Sequence, residues 1–367
     1  MKFIRIWLAA ILLLVGFNVQ AAQVENLYTV EIAVPDQTTS VRLDAFKQAF
    51  SDVIVKVSGS DEALKNSGLA RPLKSSSRYV LQFHYQLRKS DIADSADSTD
   101  QASANGQLFL LVSFNPDAVE NLLRNNNISI WGNQRPSTLL LISAAPNGAA
   151  QLVSDDSTPE LVTALEKQAR KRGLPVLFPL MDLEDRQQFS VQDVLQKNLQ
   201  NLSVAAARYA PDALLVGRLS GSDDSKWQGA WQAQFSGKRF DWTFTAARRD
   251  SVIDQAMTHL ARLLASEYAL LSGNGVEQDV LLNVDQVATL QDHVRVLAYL
   301  QSLDVVASAR LVLIDGARAS YRLKLRNSSD DLSRLIGLSS VLEQIDLPQI
   351  DASSGDQTIH MNYRLLR

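Results

Sequence analysis

The sequence has no cysteine in its 367 residues and only four histidines. The lack of cysteine excludes disulfides, thiolate metal sites and cysteine nucleophiles. The histidines have no second histidine three or four residues away. This spacing argues against an imidazole metal site, and each is interpreted as a surface or hydrogen-bonded residue. The four histidines are His84, His259, His293 and His360.

Signature motifs of cofactor-dependent and hydrolytic enzymes are also missing. There is no P-loop, no G-x-S-x-G nucleophile motif and no dinucleotide-binding fingerprint. The segment GRLSG at residues 217–221 spaces its glycines widely and closes a predicted strand, which makes it a poor phosphate cradle. The sequence therefore predicts no catalytic residue and no cofactor, and it favours a protein that is not an enzyme.

An excess of charge of one sign is absent as well. The chain has 36 basic and 40 acidic residues, a net charge of −4. A small negative balance provides no general attraction to nucleic acid or to an anionic lipid surface. Neither is expected as a partner.

A long apolar run occurs only at the N-terminus. Lys2 and Arg5 precede the run at residues 7–17, and Val19 and Ala21 are small residues at the positions that a signal peptidase requires. An uncleaved anchor is the alternative, but it needs about 20 apolar residues. The sequence predicts a signal peptide at residues 1–21, export to a bacterial periplasm, and no transmembrane segment after cleavage.

The remaining chain is long enough for two or three domains at about 150 residues each. Hydrophobic periodicity predicts an α+β protein of three small domains. The first (22–130) has the order β-α-β-β-α and a flexible loop at 89–106, and the third (276–367) has a similar pattern. The middle domain (138–271) alternates strands and helices, which predicts a mixed α/β sheet with a parallel core and an added antiparallel hairpin.

The middle domain is organised around residues 205–220, the end of a helix, a turn and a buried strand. Parallel strands would bring their following loops to one edge, where ligands collect in such sheets. One of these loops carries Asp182, Glu184 and Asp185. Carboxylates could bind a divalent cation or perform acid–base hydrolysis. Alternatively, these acids simply precede a helix, whose N-terminus favours negative charge.

Four residues are candidates for a partner or ligand surface: Trp131, Asn133, Arg135 and Arg218. Trp131 is either an exposed anchor for a partner or a plug between two domains. Arg218 is expected at the carboxyl edge of the sheet, either paired with the acidic loop or unpaired in a groove. Tryptophans on the predicted hairpin could bind a glycan or peptide if exposed, but core packing is the simpler interpretation.

Several motifs resemble a family of proteobacterial exported proteins, domain of unknown function 2066. The resemblance covers residues 24–271 and implies an exported protein, with no known activity or site residue. Its motifs are VENLY (24–28), VKVSG (55–59), WGNQRP (131–136), LPVLFPLMDLED (174–185) and ARYAPDALLVGR (207–218).

The arrangement also resembles that of Gram-negative envelope assembly proteins, among them the curli secretion lipoprotein, the outer-membrane activators of cell-wall synthases and the N-terminal domain of the Tol-system β-propeller protein. This is a likeness of fold, which does not determine function. It favours a non-enzymatic interaction or assembly module that binds other envelope proteins. The alternatives are a cation-dependent hydrolase using Asp182–Asp185 and a small-ligand or glycan binder.

Overall fold

The computed structural model describes residues 24, 26–88, 106–145, 149–188, 190–222, 226–270, 278–345 and 359–366. The predicted signal peptide, nearly all of the predicted loop at 89–106 and the linker predicted at 272–275 lie outside the described residues. The fold combines helices with sheets of parallel and antiparallel strands, which confirms the α+β class. No helix in these ranges is long and apolar enough to cross a membrane.

The first sheet has the strand order β1-β3-β2. Helix α1 packs on it through Phe50, whose ring lies 5.2 Å from that of Phe114 on β3. The helix ends at Gly59, which adopts φ 72° and donates its N–H to the Val55 carbonyl, as left-handed helix caps do. The elements are β1 (Thr29–Ala33), α1 (Thr39–Ser58), α2 (Ala70–Lys74), β2 (Val80–Arg88), β3 (Gln107–Phe114) and α3 (Pro116–Asn125).

The second sheet has the order β5-β4-β7-β8-β9, with the short β6 beside β4. Every residue of β4 is buried, as its continuous apolar run predicts for a parallel strand covered on both faces. The elements are β4 (Thr138–Ala144), β5 (Gln151–Leu152), α4 (Pro159–Arg172), β6 (Val176–Leu177), α5 (Leu183–Gln188), α6 (Val191–Gln196), α7 (Leu199–Ala206), β7 (Ala213–Ser220), β8 (Trp227–Phe235), β9 (Lys238–Ala246) and α8 (Arg249–Tyr268).

Strand β4 is parallel to both β6 and β7, as predicted, and it lies between them. The chain therefore passes from β4 to β6 on one side and then crosses to β7 on the other. Alternate residues of β4 pack on different helices: Leu140 belongs to the core with α4 and α8, and Leu141 to the core with α6 and α7. This arrangement places a topological switch point between β4 and β7.

The third sheet has the order β11-β12-β10-β14-β13, and β10 is parallel to β14. Its core is continuous with that of the second sheet. A strand occupies Leu342–Gln344; of the strand predicted at residues 345–347, only Ile345 lies among the described residues. The predicted domain bounds stay predictions. The elements are β10 (Gln278–Asp285), α9 (Leu290–Ser302), β11 (Val306–Asp315), β12 (Arg318–Leu325), α10 (Ser329–Gly337), β13 (Leu342–Gln344) and β14 (Ile359–Leu365).

Candidate functional site

Trp131 and Arg135 lie in the segment between the first two sheets, and both are buried. Their exposed fractions are 0% and 1%. The backbone N–H of Trp131 donates to the Val57 carbonyl at 2.7 Å. The indole ring of Trp131 lies so close to Gly59 that a Cβ at position 59 would come within 2.7 Å of the ring. The interpretation as an exposed partner anchor is therefore wrong, because the indole fills the space between the end of α1 and the rest of the chain.

The Arg135 guanidinium forms hydrogen bonds with backbone carbonyls only. Two of its acceptors lie at the C-terminal end of α4 and one at that of α1, where the helix dipole favours a positive charge. The planar guanidinium also lies over the Trp131 ring, with its Cζ 4.1 Å from the ring centre. Burial lowers the pKa of Arg135 to about 9, which still leaves it charged at neutral pH. The acceptors, at 2.6–3.1 Å, are the carbonyls of Lys56, Trp131, Gly132, Arg172 and Gly173.

The same junction places Asp304, from the loop after α9, close to Gly132. A Cβ on Gly132 would lie 1.4 Å from an Asp304 carboxylate oxygen. Burial and the nearby Glu120 carboxylate raise the pKa of Asp304 to about 6. The three sheets therefore meet around Arg135, and this is a structural joint. Asn133 belongs to it as well, since its carbonyl accepts the Val24 N–H at 3.1 Å.

The carboxylates of the acidic loop form ion pairs with Arg208. Arg208 donates to Asp182 and to Asp185 at 2.9 Å, and its Nη1 lies 3.5 Å from Glu184. Asp185 is completely buried and also accepts from the Tyr209 hydroxyl at 2.5 Å. The hydrogen bonds from Arg208 hold the pKa of Asp182 at about 2.

In this arrangement Asp182, Glu184 and Asp185 face a guanidinium rather than an open site, which argues against the predicted cation site and hydrolytic centre. Within the described ranges there is no group of three or more potential ligands that could hold a metal ion. The sequence did not identify Arg208 as the partner; it lies two residues after the end of α7, just before Tyr209. Its position at the amino end of β7, rather than the carboxyl end where Arg218 lies, brings it to the loop.

Arg218 lies at the other end of β7 and is exposed. It makes no ion pair with another described residue. It lines a cleft of about 400 Å³ between β4, β7 and α6, together with Gln192, Gln196 and Ser143. Ser143 is 1% exposed, and its hydroxyl has no hydrogen-bond partner among the described residues. The cleft lies at the carboxyl edge of the switch point, where ligands bind in open parallel sheets.

The hairpin tryptophans pack inward. Trp231 is completely buried, and a Cβ at Gly217 or at Gly229 would approach its ring to about 2.5 Å. Trp227 and Trp242 are half-buried against the same core. Trp231 therefore presents no open aromatic face, and Trp227 and Trp242 are exposed only in part.

The most unusual surface is strand β11, which the sequence reasoning did not identify as a site. Among the described residues it forms the edge of its sheet and pairs only with β12. Its second half carries four consecutive exposed apolar residues, with exposed fractions of 37%, 51%, 58% and 56% in the order Leu311, Val312, Leu313, Ile314. The signal was present as a run of apolar residues without alternation, but such a run is typical of buried strands.

A comparison with protein-family models matches residues 21–132 to a domain of unknown function, DUF8605. This family is different from domain of unknown function 2066, so that identification was wrong. This part of the chain is therefore similar to a domain of unknown function. No curated protein matches the chain.

Proposed function

We propose that the chain is an exported, non-enzymatic protein of the bacterial cell envelope that binds an extended segment of another polypeptide along β11. The exposed half of β11 carries this proposal. An edge strand offers unpaired backbone N–H and C=O groups, and natural proteins usually protect such edges with charges, prolines or covering elements. Here the edge carries four apolar side chains instead.

Strand addition suits this surface. An added strand gains affinity from main-chain hydrogen bonds and specificity from the alternate side chains. Two further features support a binding role over catalysis. Arg208 is paired with Asp182 and Asp185 of the acidic loop, and Arg135 binds backbone carbonyls in the joint. The family match begins at residue 21, which leaves all but the last residue of the proposed signal peptide outside the matched domain.

The test uses the full chain in a Gram-negative host, with a photo-crosslinking amino acid at Leu313. The matched control places it at Lys324, which is exposed on the inner strand β12 of the same sheet. We expect a chain whose first residue is Ala22 in the periplasmic fraction, and a crosslink from position 313, but not 324, to a mapped extended segment. A cytoplasmic chain that keeps residues 1–21, or equal crosslinking at both positions, would refute the proposal.

A second candidate function is the binding of a small anion in the cleft beside Arg218. The buried Ser143 hydroxyl without a partner favours it, since unsatisfied buried polar groups are uncommon in folded proteins. Malonate and inorganic phosphate are suitable probes in a thermal melting assay. We expect a rise in melting temperature that is lost in Arg218→Gln and kept in Arg239→Gln. No shift with either anion up to millimolar concentrations would remove this candidate.

A further inference from the structure

Strand β11 contains an irregularity that gives its exposed edge an unusual symmetry. Leu311 lies opposite Tyr321 of β12, and Leu313 lies opposite Ser320, so Val312 is an extra residue in a β-bulge. Residues opposite each other in antiparallel strands point to the same face. Leu311 and Ile314 therefore share the face of the buried Tyr321 and Ala319.

The charged residues that flank the apolar run point to the other face. Arg310 lies opposite Arg322, and Asp315 lies opposite Arg318. Without the bulge, positions 310 and 315 would point to opposite faces, because side chains alternate along a strand. The extra residue brings both to one face, at the two ends of the apolar segment.

We propose that β11 pairs with β11 of a second copy of the chain, antiparallel, across a two-fold axis between Val312 and Leu313. This inference rests on the proposed function and names the bound segment. In this register Leu311 lies opposite Ile314 of the second copy, and Arg310 lies opposite its Asp315. The bulge makes both of these opposed pairs share a face, and the two-fold axis forms each of them twice.

Charge complementarity selects this occupant. Arg310 lies beside Arg322 in its own sheet, and it makes no ion pair with another described residue. Asp315 lies beside Arg318, but the Arg318 guanidinium donates to both oxygens of Asp285 at 2.5 and 3.0 Å. A second copy supplies Arg310 with a carboxylate and Asp315 with a guanidinium, and opposite charges directly across a strand pair stabilise it.

The neighbouring helix is consistent with this geometry. Helix α9 packs against β11, and its His293 contacts the Tyr321 hydroxyl at 2.9 Å. The same helix exposes Leu290 (78%) and Val294 (57%). In the proposed dimer, opposed residues of the two β11 strands point to the same face of the sheet. The two α9 helices therefore lie on one side of the combined sheet of ten strands.

The test is a charge exchange on the purified mature chain, measured by size exclusion with light scattering. We expect a dimer for the wild type and half that mass for Arg310→Asp and for Asp315→Arg, because like charges then face each other. The double variant R310D/D315R restores the dimer. An equimolar mixture of the two single variants also dimerises, since each supplies the charge that the other lacks. Lys324→Asp, away from the edge, stays dimeric.

A second measurement checks the register. The chain has no native cysteine, so Leu311→Cys mixed with Ile314→Cys should form a disulfide between copies, and each variant alone should not. Directly opposed residues lie within disulfide reach, whereas two copies of position 311 are about 10 Å apart along the strand.

A monomeric wild type, or single and double charge variants of equal mass, would overturn the self-pairing. Circular dichroism of each variant separates this result from unfolding. If self-pairing is overturned in this way but position 313 still crosslinks to another protein in cells, only the self-pairing inference fails and the proposed function stands. If neither a copy nor another chain contacts β11, the proposed function fails with it.

Discussion

Replacement of Arg135 should cause a large loss in the free energy of unfolding. Substitution by Met keeps much of its apolar stem but removes five hydrogen bonds to backbone carbonyls. Hydrogen bonds to charged groups contribute about 1.5–3 kcal/mol each, but those of one side chain are not additive. Removal of one partner from a buried charged network typically costs about 3–5 kcal/mol. We expect Arg135→Met to lose this amount, a large part of a typical free energy of unfolding of about 5–15 kcal/mol.

The assay is urea unfolding of the mature chain, followed by tryptophan fluorescence. Trp131 lies beside Arg135 and reports on the junction itself. Arg135→Lys keeps the charge but loses the planar fork of donors, so its loss should be roughly half as large. Arg218→Met is the control, because Arg218 is exposed and unpaired among the described residues, and it should change stability by less than about 0.5 kcal/mol. If Arg135→Met were no less stable than this control, the assignment of Arg135 as the joint would be wrong.

Three further predictions concern the ionisable groups. Because the folded chain raises the pKa of Asp304 from 3.8 to about 6, it binds this proton more tightly than the unfolded chain does, and the contribution to stability falls as the pH rises through this range. Asp304→Asn should therefore raise the free energy of unfolding at pH 8 by about 2–3 kcal/mol and change it little at pH 4; equal effects at both pH values would contradict this. Asp185→Asn should destabilise the chain by about 2–4 kcal/mol, because the carboxylate accepts from Arg208 and Tyr209, whereas the exposed Glu184→Gln should be nearly neutral; similar melting temperatures would count against the network. Calcium at millimolar concentration should leave the melting temperature unchanged, since Arg208 occupies the carboxylates; a saturable rise would restore the cation hypothesis.

The two proposals for β11 have separable outcomes. Pairing of purified copies depends on Arg310 and Asp315, whereas binding of another envelope protein depends on the edge and its apolar residues. A chain that forms a dimer through β11 covers this edge. Partner binding at the same edge would then compete with dimerisation, and the crosslinking and mass measurements together distinguish the two states.

The sequence by itself determined the class of the fold and most of its elements. Helices α1 and α8 follow from apolar periodicity, and α4 follows from its start at Pro159 and its end at Gly173. The continuous apolar run of β4 predicts a buried strand. These features depend on local pattern, because each element needs one or two apolar faces wherever it lies in the chain. The plug interpretation of Trp131 was also available, but only as one of two alternatives.

Only the tertiary structure decided which charges meet and which apolar residues stay exposed. Arg208 rather than Arg218 reaches Asp182 and Asp185 because the two arginines lie at opposite ends of β7. The buried Arg135 depends on two helix ends that are distant in sequence. The apolar run of β11 remains exposed because nothing among the described residues flanks the free edge of this strand. A strand's neighbours are set by the order of the sheet, and a local pattern carries no information about that order.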